Sequence, residues 1–315
     1  MRSVTLLLAI IALMLGCSRT DPVSMKQDDA QASPAIRADA TRLATGFSPL
    51  AIGNRWRLHR DWAAKFTGDG EPWGFPMTGS DDYEFEQICT EVRGDVSYIV
   101  EKQTWWDDEG GGGSWYVRYR QDGSGLYQPG DLCLCEPPDC GGSSPDIATT
   151  GTRPRGELWQ SIEPMIPNDD RAAAQASFEA FFARIDRVRS MVSPSANQMP
   201  FELTILEYPL YAGQSWILRN DPEWFVEATV EAFEMLRLPL GRLPVYRIRI
   251  DVPDEFDAEV YRWWGRCGLM QETMHSEGEI VGEDGEPLGK LIWDENQHVT
   301  EIDLVELRSC TIDVP

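Results

Sequence analysis

Asp82-Tyr83-Glu84-Phe85-Glu86-Gln87-Ile88 alternates polar with apolar residues, and the same period of two returns along the chain. Trp115, Val117 and Tyr119 alternate with Tyr116, Arg118 and Arg120. Val226, Ala228 and Val230 alternate with Glu227, Thr229 and Glu231, and Tyr246, Ile248 and Ile250 with Arg247 and Arg249. A strand sends successive side chains to opposite faces, so this pattern marks antiparallel sheet with one face on a core and one in water. Turn signals separate the runs at Gly68-Asp69-Gly70, Gly94-Asp95, Gly110 to Gly113, Asp122-Gly123 and Asp284-Gly285. The expected fold is mainly β, built of antiparallel sheets as a sandwich or an open, barrel-like arrangement.

One segment departs from that period. From Asn168-Asp169-Asp170 to Val192, apolar residues recur at Ala174, Phe178, Phe181, Phe182, Ile185, Val188 and Val192. This spacing predicts one amphipathic helix, with Asn168 or Asp169 as N-cap and Pro194 beyond its end. Its apolar face is expected to pack on the sheet rather than to wait for a partner. Residues 136–167 hold ten prolines and glycines, among them Pro137, Pro138, Gly141 and Pro154, and read as a long connection. The organisation is therefore a first β region at 46–140, a Pro/Gly-rich connection with the helix at 141–200, and a second β region at 201–315.

The two β regions share a decapeptide. Pro49-Leu50-Ala51-Ile52-Gly53-Asn54-Arg55-Trp56-Arg57-Leu58 returns as Pro209-Leu210-Tyr211-Ala212-Gly213-Gln214-Ser215-Trp216-Ile217-Leu218, with five identities in ten. Proline suits the start of a strand because it cannot donate to a ladder. Glycine permits a positive φ, and the tryptophan then begins a strand by burying a large ring. The motif reads as structural. Together with the Pro239-Leu240-Gly241 turn, the strand Tyr246–Ile250 and Trp263, Trp264, Gly268 and Leu269, it is similar to uncharacterised secreted β-rich bacterial proteins of the TapB-like kind, over residues 207–275. Leu240 stands where those proteins carry Ala, and Trp264-Gly265-Arg266-Cys267 stands in place of their Ala-Pro-Gly stretch. The resemblance implies a β fold and brings no catalytic residue with it.

Charge is strongly one-sided: 52 Asp and Glu against 28 Lys and Arg in 315 residues, a formal −24. Nucleic acid is not an expected partner, because its phosphates are met by clustered Lys and Arg. Nor is the chain a disordered acidic tail, being 42% hydrophobic with 12 Trp, 11 Phe and 9 Tyr. Much of the acid falls on outward strand positions such as Glu84, Glu86, Glu227, Glu231, Glu301 and Asp303, and reads as the solvated face of a β body.

Met1-Arg2-Ser3 is a short positive start, Val4 to Leu15 is a mostly apolar run, and Gly16-Cys17 closes it before Ser18-Arg19-Thr20-Asp21. The run is too short to span ~30 Å of hydrocarbon and has the layout of a secretory signal. Leu13-Met14-Leu15-Gly16-Cys17 resembles the lipobox of bacterial lipoproteins, with Met14 where that family prefers Leu. The resemblance implies removal of residues 1–16, lipidation of Cys17, palmitate included, and, with Ser18 rather than Asp after the cysteine, the outer membrane as destination. Residues 17–45 have the composition of a flexible tether. Loss of Arg2 leaves the mature chain one charge more negative, so anionic headgroups repel it and the lipid is the expected membrane contact.

Six further cysteines, Cys89, Cys133, Cys135, Cys140, Cys267 and Cys310, read as disulfide partners in an exported chain. Their connectivity is open; spacing mildly favours pairing within the first four and Cys267 with Cys310, both expected on late strands. A zinc site in Cys133-Leu134-Cys135-Glu136-Pro137-Pro138-Asp139-Cys140 fits poorly, since one intervening residue is too few. His59, His275 and His298 form no ligand-spaced pair, and no metal or cofactor is expected.

No HExxH, GxSxG, Walker A or GxGxxG is present. Asp107-Asp108-Glu109 lacks the spacing of an EF-hand and reads as a hairpin tip. Trp105, Trp106 and Trp115, with Trp263 and Trp264, are the candidate ligand-surface aromatics, against the plainer reading that one of each doublet is core. The expected function is that of a non-catalytic outer-membrane lipoprotein of the cell envelope, binding a ligand or partner, such as an envelope protein or a glycan, or serving structurally. The alternative is an envelope hydrolase acting on glycan or peptidoglycan through paired carboxylates.

Overall fold

Each alternating run of the sequence lies in a strand of one antiparallel sheet. The computed structural model describes residues 50–68, 71–72, 76–107, 111–129, 153–192, 202–220, 224–253 and 256–305. In chain order the strands are β1 (Arg55–Gly68), β2 (Glu71–Pro72), β3 (Met77–Arg93), β4 (Val96–Asp107), β5 (Gly112–Gln121) and β6 (Gly125–Pro129). Helices α1 (Arg153–Ile162) and α2 (Arg171–Val192) follow, joined through a 3-10 turn at Glu163–Met165. The chain then runs through β7 (Glu202–Glu207), β8 (Ser215–Asn220), β9 (Phe225–Leu238), β10 (Gly241–Asp251), β11 (Ala258–Gly265), β12 (Gly268–Val281) and β13 (Pro287–Asp303).

The order across the sheet is β7-β6-β5-β4-β3-β1-β13-β12-β11-β10-β9-β8, with β2 attached to β1. The sheet is nearly closed into a barrel, which decides between the two arrangements expected from sequence. β1 and β13 make the central ladder, from Arg55 opposite Asp303 to Thr67 opposite Lys290. At the seam, no ladder joins β7 to β8 among the described residues. Side chains bridge it instead: Trp216 Nε1 donates to the Thr204 carbonyl (2.9 Å) and Gln214 Nε2 to that of Glu207 (2.9 Å).

Two helices stand where the sequence predicted one. α1 was hidden by Pro154, Gly156 and Pro164, which read as connection, yet it buries Leu158 and Ile162 one turn apart. In α2 the predicted face is the packed one: Ala174, Phe178, Phe181, Phe182, Ile185 and Val188 are all buried. Its N-cap is Asp170, whose carbonyl accepts the Ala174 N–H (2.9 Å). The Asp170 carboxylate is turned to the β12–β13 connection, where Oδ1 accepts the Glu283 N–H (3.0 Å). Arg184 donates to the Glu277 carbonyl (2.6 Å). Gly278 lets the helix come this close, since a Cβ there would sit 2.4 Å from the Phe181 ring.

The repeated decapeptide builds the same device twice. Gly53 and Gly213 have φ of 96° and 87°, in the region that favours glycine. Asn54 N–H donates to the Ala51 carbonyl (3.0 Å), and Gln214 N–H to that of Tyr211 (3.1 Å). Gly53 and Asn54 exchange backbone bonds with Gln87 (2.7 and 2.9 Å), as Gly213 and Gln214 do with Val230 (2.8 Å each). Each tryptophan is buried with its indole N–H on a carbonyl: Trp56 on Cys267 (2.6 Å) and Trp216 on Thr204 (2.9 Å).

Packing divides into two clusters. The larger joins both helices to the inward residues of most strands, including Phe66, Leu206, Trp216, Ile248, Trp264 and Trp293. The second gathers Trp56, Leu58, Tyr83, Val245, Met270 and Val299.

Candidate functional site

Inward positions are mostly apolar, and where they are not, the polar groups answer one another. Arg60 of β1 donates to Asp81 of β3 (3.1 Å from Nε) and to Glu295 of β13 (3.4 Å). Arg189 of α2 reaches the other Glu295 oxygen, and Trp293 Nε1 donates to the same carboxylate (3.2 Å). Burial alone would raise the Glu295 carboxyl, but the two guanidiniums overrule it and hold it down at about 2.

Glu101 of β4 is the contrasting case. It is 6% exposed, and its carboxylate accepts side-chain amide donors only: Gln103 Nε2 (2.7 Å) and Gln87. Gln103 is oriented by Trp115, whose Nε1 donates to its Oε1 (2.7 Å). Desolvation outweighs these two hydrogen bonds, with no cation among the described residues to add to them, and the Glu101 carboxyl is pushed up to about 7. It lines a cavity of about 120 Å³ between the two clusters, together with Trp56, Trp264, Arg262 and Glu272. Arg262 of β11 donates to Glu272 of β12 (2.5 Å).

A broader depression of about 640 Å³ lies across β3, β1, β13, β12 and β11, lined mainly by outward residues such as Asp61, Glu259, Tyr261, Thr273, His275 and Asp294. Despite its own partial burial, Asp294 is lowered by hydrogen bonds from His275 (2.7 Å) and Lys65 (3.1 Å). The rest of the outer face is laced in the same way. Arg57 meets Glu84 and Glu301, Arg55 meets Glu86, and Arg247 and Arg249 meet Glu231. His59 sits between Asp82 (2.8 Å) and Asp61 (3.2 Å) and packs edge-on to His298. Among the described residues no three His, Cys, Asp or Glu side chains come together as metal ligands.

The five candidate tryptophans are dispersed. Trp105, Trp115 and Trp263 are half-buried in the second cluster, Trp263 with its N–H on Glu234 (2.7 Å). Trp106 is exposed, and Trp264 is buried in the larger cluster beside the cavity. Each doublet thus splits across its strand, as alternation requires. Cys89 lies on β3, and Cys267 lies in the two-residue turn between β11 and β12 rather than on a strand. Cys17 with the signal and tether, Cys133, Cys135, Cys140 and Cys310 lie outside the described residues, as do Asp108 and Glu109; Asp107 accepts the Gly111 N–H (2.6 Å). Glu101, Glu272 and Arg262 were not singled out from sequence.

No family model matches the chain, and no curated protein matches it. Among solved structures, it aligns with a Bacteroides fragilis protein described as exported and of YmcC-like fold, at 11% identity and a TM-score of 0.32, over 82% of this chain and 100% of that one. It also aligns with a Parabacteroides distasonis protein described as a lipoprotein, at 9% identity and 0.31, over 82% and 99%. A β-barrel-like protein of a domain of unknown function from Brucella abortus aligns at 11% and 0.26, over 82% and 100%. At these scores the likeness assigns neither site nor activity.

Proposed function

We propose that this chain is a lipoprotein of the bacterial cell envelope, held at the outer membrane by acyl chains on Cys17, whose barrel binds a ligand or partner without catalysing a reaction on it. The observation that carries the non-catalytic part is a separation. Glycoside hydrolysis needs a carboxyl kept protonated near neutrality beside a second carboxylate, in a space that admits a sugar. The depression of about 640 Å³ has the space, but its carboxylates are exposed, ion-paired, or, at Glu295, held at about 2. The carboxyl pushed up to about 7 is Glu101, in a cavity of about 120 Å³, too small for a sugar ring and its neighbour when pockets for ligands of that size begin at ~300 Å³.

The anchor reading is supported by Leu13-Met14-Leu15-Gly16-Cys17 and by a charge that repels anionic lipid. Disulfide support of the body, with Cys89 and Cys267 among the paired cysteines, is part of the proposal. Palmitate labelling of the wild type and of Cys17→Ser tests the anchor: label and membrane fractionation are expected only with Cys17, and a labelled, membrane-bound Cys17→Ser chain overturns it.

The hydrolase reading keeps one observation in its favour, that Glu101 and Glu272 line the same cavity. It requires release of soluble sugar from peptidoglycan by the purified chain and loss of that activity in Glu101→Gln. The binding reading expects none from either.

A further inference from the structure

The interior cavity has an unbalanced charge. Its ionisable lining groups are Glu101 from β4, Glu272 from β12, Arg262 from β11 and Tyr119 from β5. Arg262 is matched by Glu272 (2.5 Å), and burial holds the Tyr119 hydroxyl well above its ordinary value, so it stays neutral. Ionised Glu101 therefore leaves the cavity one negative charge in excess, 94% removed from water by its 6% exposure and stabilised by neutral amides alone. A buried anion of that kind is costly unless a cation joins it. The remaining walls suit such a guest. Trp56 and Trp264 are buried beside Phe85, and aromatic faces attract a desolvated ammonium. A volume of about 120 Å³ admits a head group of a few heavy atoms.

We propose that this cavity is a binding site for a small organic ammonium ion, with the Glu101 carboxylate as counter-charge and the Trp56 and Trp264 rings as walls. The proposal names a ligand class for the binding role given above and rests on that reading. An arginine guanidinium is already seated at Glu272, so the guest takes the Glu101 side of the cavity.

The test uses the full chain in detergent, titrated with ethylammonium or ethanolamine chloride against sodium chloride at equal ionic strength. Melting temperature and tryptophan fluorescence are the readouts. A saturable rise in Tm with a fluorescence change is expected at pH 8 for the amines and not for sodium. With Glu101 titrating at about 7, affinity should be about thirtyfold weaker at pH 5.5. Glu101→Gln should abolish the response while melting like the wild type at pH 5.5. If that variant fails to fold, the two pH values on the wild type decide. Equal effects of sodium and amine, an affinity unchanged between pH 8 and 5.5, or unchanged binding by a folded Glu101→Gln each overturn the proposal. None of these results alters palmitate labelling at Cys17, so the anchor stands or falls separately.

Discussion

The two copies of the decapeptide fold alike and then serve different neighbourhoods. At the residue that exchanges backbone bonds with the glycine turn, the first copy has Gln87 and the second has Val230. Gln87 accepts the Ala51 N–H on its side chain (2.7 Å) and donates to Glu101, whereas Val230 is buried in the larger apolar cluster. The strands that follow differ too. β1 is laddered on both sides, by β3 and β13, while β8 has β9 on one side and reaches β7 through side chains. One sequence device can therefore start a strand in a continuous sheet or at its seam.

The largest effects that probe this comparison come from the tryptophans. Trp56→Ala and Trp216→Ala should each lose about 3–5 kcal/mol in urea unfolding. The loss should be greater at Trp216, whose indole also bridges the seam. Equal, small losses would show that the rings are not structural anchors. Glu295→Gln leaves Arg60 and Arg189 facing an uncharged amide and should cost about 3 kcal/mol near neutrality. Because Glu295 is held at about 2, that loss should fade as the pH falls from about 4.5 towards 2.

Exchanging the distinguishing residues comes next. Val230→Gln buries an amide without partners and should cost about 1–3 kcal/mol, measured by urea unfolding. Gln87→Val removes a donor from Glu101 and should raise its titration above about 7, which carboxyl NMR can follow. The smallest effects belong to the glycines. Gly53→Ala and Gly213→Ala each force alanine to positive φ, at about 1 kcal/mol. Gly53 should be the more sensitive, because its Cβ meets Val305 at 2.9 Å while that of Gly213 meets open space.

Strand parity is legible because the period of two is fixed by the backbone, and Tyr83, Val230 and Ile248 face inward as it requires; on β5 it does not separate a wet face, since Tyr116 and Arg118 are buried as well as Val117. The helix α2 was legible for the same reason, through Phe178, Phe181 and Ile185 at a period near four. The closing of the sheet was not, since β1 meets β13 across more than 200 residues and no local pattern encodes that distance. The cavity was hidden with it. Glu101 stands beside Lys102 and looks like surface charge; only the closed sheet places it between Gln87 and Gln103. Likewise Cys267 reads as part of a strand until the turn at Arg266-Cys267 is seen.

Among the described residues, the Glu101 carboxyl of the barrel interior has amide partners and no cation paired with it. Urea unfolding of wild type and Glu101→Gln from pH 4.5 to 8 tests this most directly. A carboxyl raised from its ordinary 4.5 to about 7 binds its proton more tightly when folded, so wild-type stability falls as pH rises through that window. The wild type should lose about 3 kcal/mol relative to Glu101→Gln across it. Parallel curves, or a wild type that gains on the variant with rising pH, would contradict it.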